Sequence, residues 1–220
     1  MKRVSLMLIG LVVGFGLSAC VSKDDANAIN FSAAIDAYLQ KHGQLCIARE
    51  TWPVHLTERD RASKLAFGGG TPLQRMEALA AVGLAVKKDV DAAELPGRNT
   101  LVRPGELVYR YDLTELGEKF SRQVPRGPFA SSSAEPQRAI CYGRRAVQKV
   151  VKWDGVMELG GFKGTEVTYL YKVDELPDWA KDARVQEAFP EVGRELAGIA
   201  SLEKTHGLHL TSEGWEANGL

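Results

Sequence analysis

The chain has 220 residues, with 28 basic and 28 acidic side chains and a formal net charge of zero. That balance gives no electrostatic footprint for nucleic acid, so no nucleic-acid partner is expected. The apolar share is ordinary for a globular protein, and the length beyond the leader suits one large domain or two small ones.

The first twenty residues, MKRVSLMLIGLVVGFGLSAC, form an export signal. Lys2 and Arg3 make a positive start. Val4 to Leu17 is apolar but shorter than the about 20 residues a bilayer span needs. The ending LSAC (Leu17–Cys20) resembles the bacterial lipobox. In that family the peptidase cuts before the cysteine, whose sulfur receives diacylglycerol and whose new amine is then acylated, typically with palmitate. The resemblance implies that residues 1–19 are a signal peptide and that Cys20 carries lipid. Each buried methylene contributes about 0.8 kcal/mol, so several acyl chains anchor a protein without spanning the membrane. Val21 and Ser22 follow the cysteine, where enteric-type sorting uses Asp for inner-membrane retention. This implies the outer membrane, facing the periplasm. Residues 20–30 then comprise the lipidated Cys20 and a polar tether.

Residues 31–123 read as a winged-helix-like α+β half. NFSAAIDAYLQKHG predicts a helix with Phe31, Ala34, Ile35, Tyr38 and Leu39 on one stripe, capped by Asn30 and ended by Gly43. QLCIARETWPVHLT is extended or irregular, because Pro53 opposes helix. Thr57 starts a short helix, ERDRASKLAF, which Gly68–Gly70 interrupt. TPLQRMEALAAVG carries a strong start signal: Thr71 as cap, Pro72 next, and Gln74 completing a capping box. LAVKK and LVYRYDL are strands around a loop or wing tip, and Thr114 caps a helix carrying Leu116 and Phe120. Tyr109, Tyr111, Leu113 and Phe120 are expected to be scaffold. The order of helix, strand, wing, strand and helix resembles a winged helix. Its groove-facing helix normally offers basic or amide side chains to DNA, whereas Thr71–Val82 has only Gln74 and Arg75 beside Glu77.

VPRGPFASSSAEPQ, residues 124–137, reads as a linker or long loop. Residues 138–220 are expected to form an antiparallel sheet with a packed helix. TEVTYLYKV alternates Val167, Tyr169, Tyr171 and Val173 against Glu166, Thr168, Leu170 and Lys172, the pattern of a half-buried strand. A helix from Pro177 offers Trp179, Val185 and Phe189 to the sheet. LHLTSEGWEA closes the chain as a hairpin.

With Cys20 lipidated, Cys46 and Cys141 remain, and in an oxidising periplasm an even pair reads as a disulfide. It would close a loop of roughly 95 residues, worth about 4–5 kcal/mol in the chain-entropy model. His206 and His209 have i, i+3 spacing, but Gly207 and LHLT point to a turn and strand rather than a metal-binding helix face. No metal site and no cofactor are expected. Ser131–Ser133 lacks a nucleophile elbow, and Gly68–Gly70 precedes a helix without a P-loop lysine. Glu158, Glu166, Asp174 and Glu175 could hold a glycosidase pair only if the fold sets two of them apart. Trp52, Trp153, Trp179 and Trp215 either pack in the core or line a concave binding face for a peptide, glycan or lipid.

Taken together, NFSAAIDAYLQKHGQLC, MEALAAVGL, YDLTELGEKF, ICYG, VVKWD, TEVTYLYKV, WAKDARVQEAFP and LHLTSEGW resemble a group of proteobacterial outer-membrane lipoproteins. They are mostly uncharacterised, and some are labelled CpmK-like after a carbapenem-cluster protein. The resemblance carries no catalytic residues, and its label implies envelope tolerance of β-lactams. The expectation is a non-catalytic lipoprotein that binds an envelope protein, a cell-wall partner or a ligand. A cell-wall-acting hydrolase is the alternative.

Overall fold

The computed structural model describes residues 22–62, 69–90, 106–124 and 137–218. The leader with Cys20, all but the ends of the wing tip expected over 89–106, Ser131–Ser133 and most of the expected linker lie outside the described residues.

Helix α1 (Ala28–His42) starts three residues earlier than the pattern of apolar residues suggests. Its cap is Asn27, whose side chain accepts from the Asn30 N–H at 2.9 Å. Phe31, Ala34, Ile35 and Leu39 are buried, with Tyr38 at the edge of the stripe. The Gly43 N–H closes the helix on the Leu39 carbonyl at 2.7 Å. Strand β1 (Gln44–Glu50) follows, and a cis peptide at Trp52–Pro53 leads into β2 (Val54–Thr57). The described start of the helix expected after Thr57 is a 3₁₀ turn over Glu58–Arg61, with Asp60 accepting from the Thr57 N–H at 2.7 Å, and its remainder over 63–67 lies outside the described residues.

The start signal of α2 (Pro72–Ala81) is met in full. Gln74 accepts from the Thr71 N–H at 2.8 Å, and the Thr71 hydroxyl accepts from the Gln74 N–H at 3.3 Å. β3 (Ala85–Val90) and β4 (Val108–Leu113) follow, giving a small antiparallel sheet of order β2-β4-β3. Thr114 caps α3 (Glu115–Phe120) by accepting from the Gly117 N–H at 3.0 Å. Leu116 is exposed, and the residue α3 buries is Gly117. The reason is backbone proximity: a Cβ on Gly117 would lie 2.0 Å from the Leu84 carbonyl oxygen.

The large sheet is curled and antiparallel, with seven strands. Its centre is β6 (Arg138–Trp153), the longest strand. β1 lies along one side of it. On the other side are β5 (Ser121–Gln123) and β8 (Phe162–Asp174). β7 (Met157–Leu159) forms a hairpin with β8, then β9 (Glu203–Thr211) and β10 (Gly214–Ala217) complete the order. Cys46 faces Cys141 across β1 and β6, and the two are disulfide-bonded over a separation of 95 residues. The helix expected over residues 177–189 is divided into a 3₁₀ turn (Asp178–Lys181) that carries Trp179 and α4 (Ala183–Ala188), which Asp182 caps; the second helical stretch expected in FPEVGRELAGIA is α5 (Pro190–Gly198).

Two cores result, and segments from both sides of the expected linker share each of them. One gathers Ile47, Leu73, Met76, Leu79, Tyr111, Ile140, Trp179 and Phe189, with Leu113 and Phe120 packed at its edge. The other lies between α1 and the large sheet, with Phe31, Ile35, Val167, Tyr169, Tyr171, Leu208 and Trp215. α1 and β1 therefore belong to the large sheet's packing rather than to a separate N-terminal half. The chain is a mixed α/β protein with few helices, and no described helix is long and apolar enough to cross a membrane.

Candidate functional site

A concavity follows α1. A groove of about 650 Å³ runs between α1 and β10, lined by Ala34, Ala37, Tyr38, Lys41, His42 and Trp215 among others. A cleft of about 230 Å³ continues past the C-terminal end of α1, over Arg145, Tyr169, Lys204 and His206. Tyr38 and His42 line both.

Local structure places each group. Tyr38 and His42 are one helical turn apart, and their rings lie 4.5 Å apart. The parallel-to-core alternation of β8 and β9 turns Tyr169 and His206 toward α1. The ring of Tyr38 meets His206 edge-on at 4.8 Å. The Tyr169 hydroxyl is 3.3 Å from His206 Nδ1. α1 itself is pinned to the sheet where β6 bulges: Asp36 accepts the Val147 N–H at 2.7 Å.

His206 is buried, which pushes its pKa below the ordinary histidine value and keeps the ring neutral at pH 7. Its Nε2 is buried and has no hydrogen-bond partner. A buried polar atom left unpaired costs free energy, and the same holds for core atoms such as the Tyr111 hydroxyl and Trp179 Nε1. Burial also pushes the Tyr169 hydroxyl up to about 12, so it stays protonated at neutral pH. Arg145 forms a two-pronged ion pair with Glu195 of α5, and this pairing holds the Arg145 pKa above its ordinary value. Lys204 Nζ lies over the Tyr171 ring, 5.7 Å from its centroid.

The tryptophans do not converge on one face. Trp52 and Trp179 belong to the first core, and the Phe120 ring meets Trp179 edge-on at 5.5 Å. Trp153 and Trp215 both meet Phe31, at 5.4 and 5.0 Å, and only Trp215 lines the groove. Packing thus accounts for Trp52 and Trp179. His206 and His209 lie on opposite faces of β9, because an odd spacing alternates along a strand, so the two cannot share an ion. His209 instead stacks on Phe162.

Glu158 pairs with Lys163 and Asp174 with Lys172. Glu166 and Asp174 lie on one strand roughly 27 Å apart, far beyond a glycosidase pair. The N-terminus of α2 is covered, since the Gly70 N–H donates to the Ala188 carbonyl at 3.0 Å and Arg75 reaches Glu191. A Ser-x-x-Lys spacing occurs at Ser201–Lys204 but straddles the turn into β9. The Ser201 hydroxyl donates to the Ala197 carbonyl at 3.0 Å.

The sequence marks Tyr38 and Tyr169 only as core-facing positions. Their grouping with His42, Arg145, Lys204 and His206 depends on where α1 crosses the sheet, which no local pattern encodes. Comparison of the chain with protein-family models, with characterised proteins and with solved structures gives no match.

Proposed function

We propose that this chain is an exported, non-catalytic lipoprotein, anchored through Cys20 in the outer membrane facing the periplasm, whose α1 groove binds a ligand or an envelope partner. The observation that carries the binding role is the groove of about 650 Å³ along α1, which continues into a cleft lined in part by His206. Around it, Tyr38 and Trp215 offer aromatic surface, while Lys41, Lys204 and His42 offer cationic or hydrogen-bonding groups. That lining suits a ligand with an anionic group next to a ring or apolar face. The leader and LSAC support the anchor, and kinship with the proteobacterial lipoproteins belongs to the same proposal.

The sheet order β2-β4-β3 and the succession α2, β3, β4, α3 support a winged-helix-like reading of that region. Its use is not nucleic-acid binding in this proposal, because α4 and α5 cover the start of α2 and engage Arg75. Salt-dependent binding of duplex DNA by the purified protein would overturn that part.

A photo-crosslinking residue placed at Ala37, on the groove, tests the binding role in intact cells, with Lys119 as an exposed control. A discrete adduct at position 37 and none at 119 is expected. No adduct at 37, or the same adducts at both positions, contradicts it.

A further inference from the structure

Six of the eleven exposed large apolar side chains among the described residues fall within residues 151–162: Val151, Trp153, Val156, Met157, Leu159 and Phe162. Leu159 is 82% exposed and Met157 72%. The side chains are held on a stiff support. The β7–β8 hairpin turns through Gly160 and Gly161, both at positive φ, as a two-residue turn of the favoured twist requires. The Asp154 N–H donates to the Glu166 carbonyl at 3.0 Å, and the Thr165 hydroxyl to the Asp154 carbonyl at 2.8 Å. Register puts Met157 opposite Gly164 and Leu159 opposite Phe162, so Met157, Leu159 and Phe162 share one face. A concentration of apolar surface on a braced protrusion marks a contact site.

The start of the described chain lies at the same end of the sheet. Gly164 faces His209, and continuing that register brings Phe162 level with Thr211, about 5 Å away across the strands. Thr211 leads into the turn that holds the tether: Lys23 Nζ donates to the Ser212 carbonyl at 2.5 Å, and Trp215 Nε1 to the Asp24 carbonyl at 3.2 Å. Ile29, 70% exposed, sits in the first turn of α1, whose Phe31 touches both Trp153 and Trp215. Ser22, the first described residue, therefore stands at the hairpin's end of the sheet. A lipid on Cys20 brings the membrane to within two residues of Ser22, so a bilayer is the surface that meets this patch.

We propose that the β7–β8 hairpin is a second membrane contact that inserts its apolar tip into the lipid headgroup and acyl boundary next to the Cys20 anchor. This rests on the anchor reading above. The charges beside the tip are mixed, with Lys163 paired to Glu158, so apolar burial rather than attraction to anionic lipid drives the contact. The hairpin adds a second point of contact, which fixes the body's orientation on the membrane.

The test uses the lipidated protein in phosphatidylcholine vesicles. Leu159→Cys, labelled with an environment-sensitive dye, reports on the tip, and Lys119→Cys is the control; Cys46 and Cys141 are bonded to each other. Emission at position 159 is expected to shift to shorter wavelength and to be quenched by nitroxide-bearing lipids, with neither change at 119. Phe162→Asp together with Met157→Asp should abolish the quenching while the protein stays on the vesicles. Vesicle-bound protein with a water-exposed dye at 159 overturns the hairpin contact and leaves the anchor standing. A blue shift without lipid quenching shows contact between protein copies and also overturns it. Failure of the protein to bind vesicles overturns the anchor reading, and the hairpin contact falls with it.

Discussion

Gly117→Ala sets two physical effects against each other. Helix propensity alone favours Ala over Gly by about 1 kcal/mol. The site opposes it, because the new Cβ would lie 2.0 Å from the Leu84 carbonyl oxygen, against an ordinary contact of 3.4–4 Å. Leu84 has little room to retreat: its N–H donates to Leu79 at 2.9 Å, and its carbonyl accepts from Thr114 at 3.1 Å. α3 is fixed as well, through the Thr114 hydroxyl on the Gly83 carbonyl at 2.6 Å. Overpacking against an immobile backbone costs about 3 kcal/mol, the upper end of the usual range. Subtracting the propensity gain leaves a net loss of about 2 kcal/mol. Urea unfolding followed by tryptophan fluorescence reads this as a midpoint lower by about 1 M at an m-value of about 2 kcal/mol/M. Gly193→Ala in α5 is the control, since its nearest neighbour is a Gln186 side-chain atom at 3.5 Å. It should stabilise by roughly 0.5–1 kcal/mol. If Gly117→Ala is neutral or stabilising, or if the two variants behave alike, the packing of α3 on the α2–β3 turn is wrong.

Replacing Cys46 and Cys141 together by Ala should lower stability by about 4–5 kcal/mol, read by the same unfolding curve, because a closed loop of roughly 95 residues is released. Burial holds the folded-state pKa of His206 below its unfolded value of 6.5. The unfolded chain therefore takes up a proton first as pH falls, and stability decreases from about pH 6.5 downward toward the folded pKa. His206→Gln should flatten part of the difference between unfolding curves at pH 7 and pH 5; an unchanged slope would remove His206 as its source. Glu195→Ala leaves Arg145 unpaired beside the cleft. Arg145 keeps about a third of its side-chain exposure, so the loss should be about 1–3 kcal/mol, below that of a fully buried pair. A Tm equal to that of the unaltered protein would show that the pair carries no stability.

Local chemistry made many elements legible. Thr71, Pro72 and Gln74 fixed the start of α2 because their hydrogen bonds are made within four residues. The period of two in Val167, Tyr169 and Tyr171 identified the buried face of β8. The motif Leu-Thr-x-x-Gly occurs twice with different outcomes, which its flanks announced: helical α3 after Thr114, and a hairpin turn with Gly214 at positive φ after Thr211. Long-range placement was not legible. Nothing near Leu116 says that α3 presses Gly117 onto Leu84. Nothing near Pro177 says that Asp182 prefers to cap a new helix rather than continue the old one. The groove is the same kind of feature, assembled from α1, β6, β8, β9 and β10. The exposure of Met157, Leu159 and Phe162 depends on the β7–β8 register, which no local pattern announced.

The anchor at Cys20 is the claim on which location, partner class and hairpin contact all depend. Growth with radiolabelled palmitate, followed by membrane fractionation, tests it most directly. Label should appear in the unaltered protein, in the outer-membrane fraction, and be lost in Cys20→Ala. An unlabelled protein, or equal label in Cys20→Ala, would contradict it.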